Sequence, residues 1–198
     1  VDFSKFEDYK IKIEKYIKNN QVDILVNNTQ GPLAGNSLSK NIDSYQEAFD
    51  LLFKSVVHTT SLVIPGMQKN KWGRIINVTS VSVKEPLNYL VLSNSIRSAV
   101  VAWAKSLSVD LGPDGITVNS ILTGYFDTER IKELNKEKSK SLNISETEVL
   151  EKMKSLVPDS RLGRPEEYGY LISFLSSDNA AYINGASIPI DGGLLKSY

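Results

Sequence analysis

The sequence predicts a doubly wound α/β fold, a parallel sheet flanked by helices, and three observations carry that expectation. Short apolar runs alternate with longer stretches of helical periodicity. The runs Asp23-Ile24-Leu25-Val26-Asn27, Arg74-Ile75-Ile76-Asn77-Val78 and Ile116-Thr117-Val118-Asn119-Ser120-Ile121 read as strands, the first apolar without alternation as in sheets buried on both faces. Each run is separated from the next by a helix-sized interval, as a crossover between parallel strands requires.

The elements follow in order. Phe6, Tyr9, Ile13, Tyr16 and Ile17 recur at helical spacing, with Ser4 as N-cap and Glu7 completing a capping box; Asn19-Asn20 ends that helix. After the strand at Asp23 comes a polar loop holding two glycines and Pro32, then a long helix from about Ser44 to Met67. Gly73 precedes the second strand. A loop through Pro86 leads to a helix from about Leu90 to Leu111, and Gly112-Pro113-Asp114-Gly115 is a turn ahead of the third strand. From Thr128 to Arg161 the pattern is charged and helical, with Ser145-Glu146-Thr147-Glu148 as a capping box. Pro165-Glu166-Glu167 opens another helix, and Ala186 to Ile190 is the last strand, stopped by Asp191-Gly192-Gly193. Without an internal linker or repeat, residues 1–198 read as a single domain.

Composition narrows the function. The 198 residues balance 23 basic against 23 acidic side chains, which favours neither nucleic acid nor an anionic membrane as partner. There is no cysteine and a single histidine, so thiolate and histidine-rich metal sites are excluded and no metal is expected. No run approaches a membrane span, and a cytoplasmic location is the expectation. His58, inside the long helix, reads as a packing residue. Ligands of doubly wound sheets bind beyond the C-terminal strand ends. The informative segments are therefore 27–31, 79–82 and 122–128.

Those segments resemble the short-chain dehydrogenase/reductase family. Asp23-Ile24-Leu25-Val26-Asn27-Asn28-Thr29-Gln30-Gly31 is similar to its Asn-Asn-Ala-Gly segment. Gly73-Arg74-Ile75-Ile76-Asn77-Val78-Thr79-Ser80 resembles the strand that ends at the catalytic serine. Gly124-Tyr125-Phe126-Asp127-Thr128 resembles the Pro-Gly loop, with Thr123 in place of the proline. Arg161-Leu162-Gly163-Arg164-Pro165-Glu166-Glu167 and Ile190-Asp191-Gly192-Gly193 match C-terminal signatures, so the likeness runs collinearly from Asp2 to Gly193.

The resemblance implies NAD or NADP as cofactor and a small-molecule carbonyl or alcohol as substrate. It implies a helical substrate lid over residues 128–161, and a homotetramer or homodimer. Ser80 falls on the catalytic serine. Counting on from it, Ser93 stands where the family has its tyrosine and Arg97 where it has its lysine, while Leu52 falls near the active-site asparagine. This looks like a subgroup similar to β-ketoacyl-acyl-carrier-protein reductases with an incomplete catalytic tetrad. Asn27, Asn28 and Gly31 are implied near the adenosine ribose. Thr79, Gly124 and Phe126 are implied along the cofactor, Thr128 at the nicotinamide amide and pyrophosphate, and Arg97 at the ribose. Tyr89, four positions before Ser93, reads as a half-buried aromatic at a helix start.

Serine is a far weaker acid than tyrosine, and arginine holds charge without relaying protons. Two activities stay open: an oxidoreductase with an altered site, and a dinucleotide-binding protein without turnover. The family's opening glycine-rich βαβ unit has no counterpart here, so the first strand is expected at an open edge, and the natural polypeptide is expected to carry about 50–60 further N-terminal residues.

Overall fold

A computed structural model describes residues 2, 3 and 5–197. Ser4, the expected N-cap, lies outside the described residues. The elements are α1 (Phe6–Asn19), β1 (Ile24–Asn27), α2 (Ile42–Phe49), α3 (Ser55–Asn70), β2 (Gly73–Val78), α4 (Val91–Leu111), β3 (Ile116–Thr123), α5 (Glu129–Leu142), α6 (Glu146–Leu156), α7 (Pro165–Leu175) and β4 (Ser187–Ile190). The four strands form one parallel sheet in the order β1-β2-β3-β4.

Consecutive side chains of a strand point to opposite faces, and here both faces are dry. Ile75 packs with Val63, Met67, Ala104, Leu111, Ile116 and Val118 under α3 and α4, with α1 stacked outside through Ile17. Ile76 packs on the other face with Ile121, Leu175 and Ala180 beneath α7. β1 and β4 are the two edges of the described sheet, and Ile24 on β1 is 45% exposed.

The long helix differs from expectation. It begins at Ile42, two residues early, because Asn41 caps it by accepting from Ser44 N–H. It also widens into a π turn at Asp50–Lys54 before continuing as α3. A π turn displaces backbone bonds from their α partners. The Ser55 hydroxyl compensates by donating to the Leu51 carbonyl at 2.6 Å. Leu52, at the centre of that turn, is fully buried.

The expected capping box at Ser145 and Glu148 is formed, and at the start of α7 the Glu167 carboxylate accepts from the Arg164 N–H at 2.7 Å. His58 packs as expected: its ring meets the Phe6 ring edge-on, and Nε2 lies 3.4 Å from Glu14 Oε1.

Candidate active site

The C-terminal ends of β1, β2 and β3 open into one cleft of about 550 Å³. Asn28 to Pro32 follow β1, Thr79 to Val81 follow β2, and Thr123 to Phe126 close β3; Tyr89, Ser93 and Arg97 enter from the start of α4. Arg130, Ile131, Glu133 and Leu134 of α5 with Met153 of α6 form the opposite wall, where the lid was expected. Two main-chain bridges tie the loops to the frame, Gly35 to Leu90 and Phe126 to Gly163.

Arg97 is the most constrained group. It is 9% exposed, and its guanidinium donates to the Val78 carbonyl at 2.6 Å and the Thr29 carbonyl at 3.3 Å. It thereby clasps the ends of β2 and β1 together. Burial pulls its pKa down to about 10, with Arg130 nearby adding to the decrease and Tyr168 opposing it. It is charged at neutral pH. Ser93, one helical turn before it, is buried and opens on the same cleft. Ser80 stands at the end of β2, where its hydroxyl accepts from Ser82 N–H at 3.1 Å. The local turn explains that contact, and it leaves the Ser80 hydroxyl hydrogen to donate. Ser80, Ser93 and Arg97 thus share one cavity, as their alignment implies.

The residues placed near the cofactor divide. Asn28 and Gly31 line the cleft. Asn27 does not. Its amide donates to Asn77 Oδ1 at 2.9 Å and Thr60 Oγ1 at 3.0 Å, away from the opening, so its side chain is a strut between β1, β2 and α3. Strand alternation is the reason: consecutive asparagines at a strand end cannot both face one side. Thr79 reaches the cleft, but its hydroxyl donates to the Ile121 carbonyl at 2.8 Å and is buried. Phe126 is buried edge-on against Tyr168. Gly124 lets β3 pass the C-terminal loop, since a Cβ there would stand 2.6 Å from Asp191 Cα. Thr128 is the N-cap residue of α5, and its hydroxyl donates to Phe126 O at 3.4 Å instead of capping the helix. Leu52 presents no polar atom at the asparagine position.

Three residues were not singled out from sequence. Arg130 crosses the cleft to donate to the Pro32 carbonyl at 2.8 Å. Tyr125 lines the cleft, and burial raises its pKa. Tyr168 pairs with Thr123 Oγ1 at 2.9 Å, and burial pushes its pKa up to about 12. Tyr125 was legible as the residue after Gly124 in a post-strand loop. Tyr168 lies far along the chain and carried no signal.

The lining charges are Arg97 and Arg130 against Glu133, a net positive balance suited to phosphates. A Cβ on Gly31 would stand 3.4 Å from Arg130 Nε, so the missing side chain keeps main chain and guanidinium accessible together. Guanidinium donors, serine and threonine hydroxyls and exposed main chain at strand ends are the donor set of a dinucleotide site, and the residues present fit such a group.

Comparison with known proteins agrees. The family profile described as enoyl-(acyl carrier protein) reductase matches residues 2–195. The NADPH-dependent reductase BacG of Bacillus subtilis is 30% identical over 177 residues, covering 89% of this chain and 68% of that protein. The 3-oxoacyl-[acyl-carrier-protein] reductase FabG of Pseudomonas aeruginosa is 29% identical over 204 residues, covering 100% of this chain and 76% of that protein. Among solved structures, L-sorbose reductase from Gluconobacter frateurii, complexed with NADPH and L-sorbose, superposes with a TM-score of 0.90 at 27% identity, over 100% of this chain and 76% of that one. The chain therefore belongs to the short-chain dehydrogenase/reductase family of nicotinamide-dependent oxidoreductases.

Proposed function

We propose that the chain reduces a carbonyl or oxidises an alcohol with NAD or NADP, in the manner of a 3-oxoacyl-(acyl-carrier-protein) reductase with an altered catalytic set. The observation that carries the reading is the convergence of Ser80, Ser93 and Arg97 on one cleft, with Arg97 buried and charged. A bound nicotinamide dinucleotide supplies the hydride. Asn28 and Gly31 hold its adenosine end, Thr128 and the main chain at Gly124 and Phe126 its nicotinamide end, and Arg97 its ribose. Ser80 orients the substrate oxygen, and Arg97 places positive charge near the developing alkoxide.

The α5–α6 pair, within residues 128–161, acts as the substrate lid. The reading is supported by the relatives' names, one an NADPH-dependent reductase, one a 3-oxoacyl-[acyl-carrier-protein] reductase and one an L-sorbose reductase complexed with NADPH. Phe49 and Val109 leave apolar surface exposed on α2 and α4, which supports a homo-oligomer, a tetramer in this reading. Among the described residues no helix is long and apolar enough to cross a membrane, and the proposed location is cytoplasmic.

The test follows NADPH or NADH absorbance against a panel of ketones, ketoses and 3-oxoacyl thioesters. Ser80→Ala should lower turnover by a factor of about 10–1,000, as for loss of one oxyanion donor. Arg97→Ala should also weaken cofactor binding. Dinucleotide binding without turnover on any carbonyl would refute the oxidoreductase reading.

A further inference from the structure

The lid and the loop after β1 meet through one side chain. Arg130 of α5 donates from Nη2 to the Pro32 carbonyl at 2.8 Å. Arg97 of α4 donates to the Thr29 carbonyl at 3.3 Å, three residues earlier on the same segment. Two guanidiniums are therefore fastened to residues 29–32 from two different helices. Gly31 lies between the attachment points. A Cβ on it would stand 3.4 Å from Arg130 Nε and 3.5 Å from Nη2, so the open side of Gly31 faces the Nε–Nη2 edge of the guanidinium.

Donors outnumber acceptors at this place. A guanidinium carries five N–H groups. Arg130 makes one hydrogen bond, to Pro32, and its Nη1 stands 3.5 Å from Glu133 Oε2, which leaves Nε without an acceptor among the described residues. The Gly31 N–H likewise has no acceptor among them. The charges are also unbalanced. Arg97 and Arg130 line the cleft against Glu133, whose carboxylate is turned mostly to solvent. Arg130 adds to the lowering of the Arg97 pKa, as a nearby like charge does.

We propose that Arg130 is a phosphate-binding residue carried on the lid: its free Nε edge holds a phosphate oxygen of the bound nicotinamide dinucleotide, and Glu133 competes with that phosphate for the guanidinium. This rests on the reading that the cleft takes such a dinucleotide. Arginine suits the task because its planar fork pairs two oxygens of one phosphate. Anchored at Pro32, the guanidinium is ordered before the anion arrives, so little side-chain freedom is lost on binding. The dinucleotide is the source of the anion because Asn28 and Gly31, on the same segment, hold the cofactor in that reading. A carboxylate on the substrate is the other source of the same chemistry.

The test is equilibrium titration with NADPH and with NADH, followed by their fluorescence, and needs no turnover. It compares wild type with Arg130→Gln, Arg130→Lys and Glu133→Gln. Arg130→Gln should weaken binding by about 10- to 100-fold, the loss of a charge-assisted contact. A loss shared by NADH and NADPH places the contact at the diphosphate, and one confined to NADPH places it at the additional phosphate. Arg130→Lys keeps the charge without the fork and should recover part of the loss. Glu133→Gln should tighten binding by about 2- to 5-fold, as removal of an exposed counter-ion allows. A purely structural link between α5 and Pro32 would lower the Tm of Arg130→Gln but could not make Glu133→Gln bind more tightly. If wild type binds and neither Arg130→Gln nor Glu133→Gln changes the affinity, Arg130 is only that link and the proposal is overturned. Should Arg130→Gln fail to fold, Glu133→Gln decides alone. If Arg130→Gln keeps its dinucleotide affinity but raises KM for a 2-oxo acid and not for a neutral ketone, the anion belongs to the substrate and the assignment to the dinucleotide is overturned. Wild type that binds dinucleotide yet reduces no carbonyl removes the oxidoreductase reading and leaves Arg130 in its role. Wild type that binds no dinucleotide removes the cofactor reading, and this proposal with it.

Discussion

Replacing Asn27 with alanine separates a structural role from a cofactor role. Its amide supplies a hydrogen bond to Asn77 Oδ1 and another to Thr60 Oγ1, and those partners are 1% and 0% exposed. Water cannot replace the lost donor without entering the core. Leaving a buried acceptor unpaired costs about 1–3 kcal/mol. Asn77 Nδ2 already has no partner among the described residues, so the whole Asn77 amide is stranded. The Thr60 hydroxyl can rotate to another acceptor and contributes at the low end of that range. The sum is about 2–4 kcal/mol. In a domain of this size each kcal/mol lowers Tm by about 2–4 °C, which gives a fall of roughly 5–15 °C. Thermal melts and urea unfolding would measure it, and fluorescence titration would follow dinucleotide affinity below the transition. Affinity should stay within about 3-fold, under 1 kcal/mol. A variant with wild-type stability and more than tenfold weaker dinucleotide binding would refute the assignment of Asn27 as a strut.

Three further outcomes are expected. Gly124→Ala should cost about 1–3 kcal/mol by overpacking, because the Cβ would meet Asp191 main chain that cannot swing aside; urea midpoints would report it. Glu167 is held down to about 2 by hydrogen bonds from Arg161 and from the Arg164 N–H, so it favours the folded state above its unfolded pKa, and that contribution disappears as pH falls through about 2. Glu167→Gln should therefore flatten stability against pH between roughly pH 4.5 and 2, measured by urea midpoints across that window. Light scattering of the protein at micromolar concentration should give a homo-oligomer, and a monomer would argue against the assembly proposed.

Much of the frame was legible because its signals are local. The strands at Asp23, Arg74 and Ile116 could be placed from composition and spacing, and Ser145 with Glu148 announces a helix start by chemistry alone. The π turn was not legible. Leu51, Leu52 and Phe53 are consecutive apolar residues, so one extra residue in the turn leaves no gap in the helical pattern. The site was legible only where position along a strand decides function. Ser80 and Arg97 fall at strand and helix positions that face the cleft. Asn27 and Asn28 look alike in sequence, yet the pleat sends their side chains apart. Tyr168 reaches Thr123 only through the packing of α7 beneath the sheet, which no local pattern encodes.

The bridges from Gly35 to Leu90 and from Phe126 to Gly163 are built of main chain alone. Each uses a glycine for close approach: a Cβ on Gly163 would stand 2.7 Å from the Phe126 ring, and one on Gly35 would run into Lys40 Cε. The loop at 33–40 also leans on its own side chains, since Asn36 Oδ1 accepts from the Leu38 and Ser39 N–H groups. Leu87, by contrast, lines the cleft beside the bridge at Leu90 while its main chain is held by the Asn94 amide, so its side chain is the place to begin redesigning what the cleft accepts.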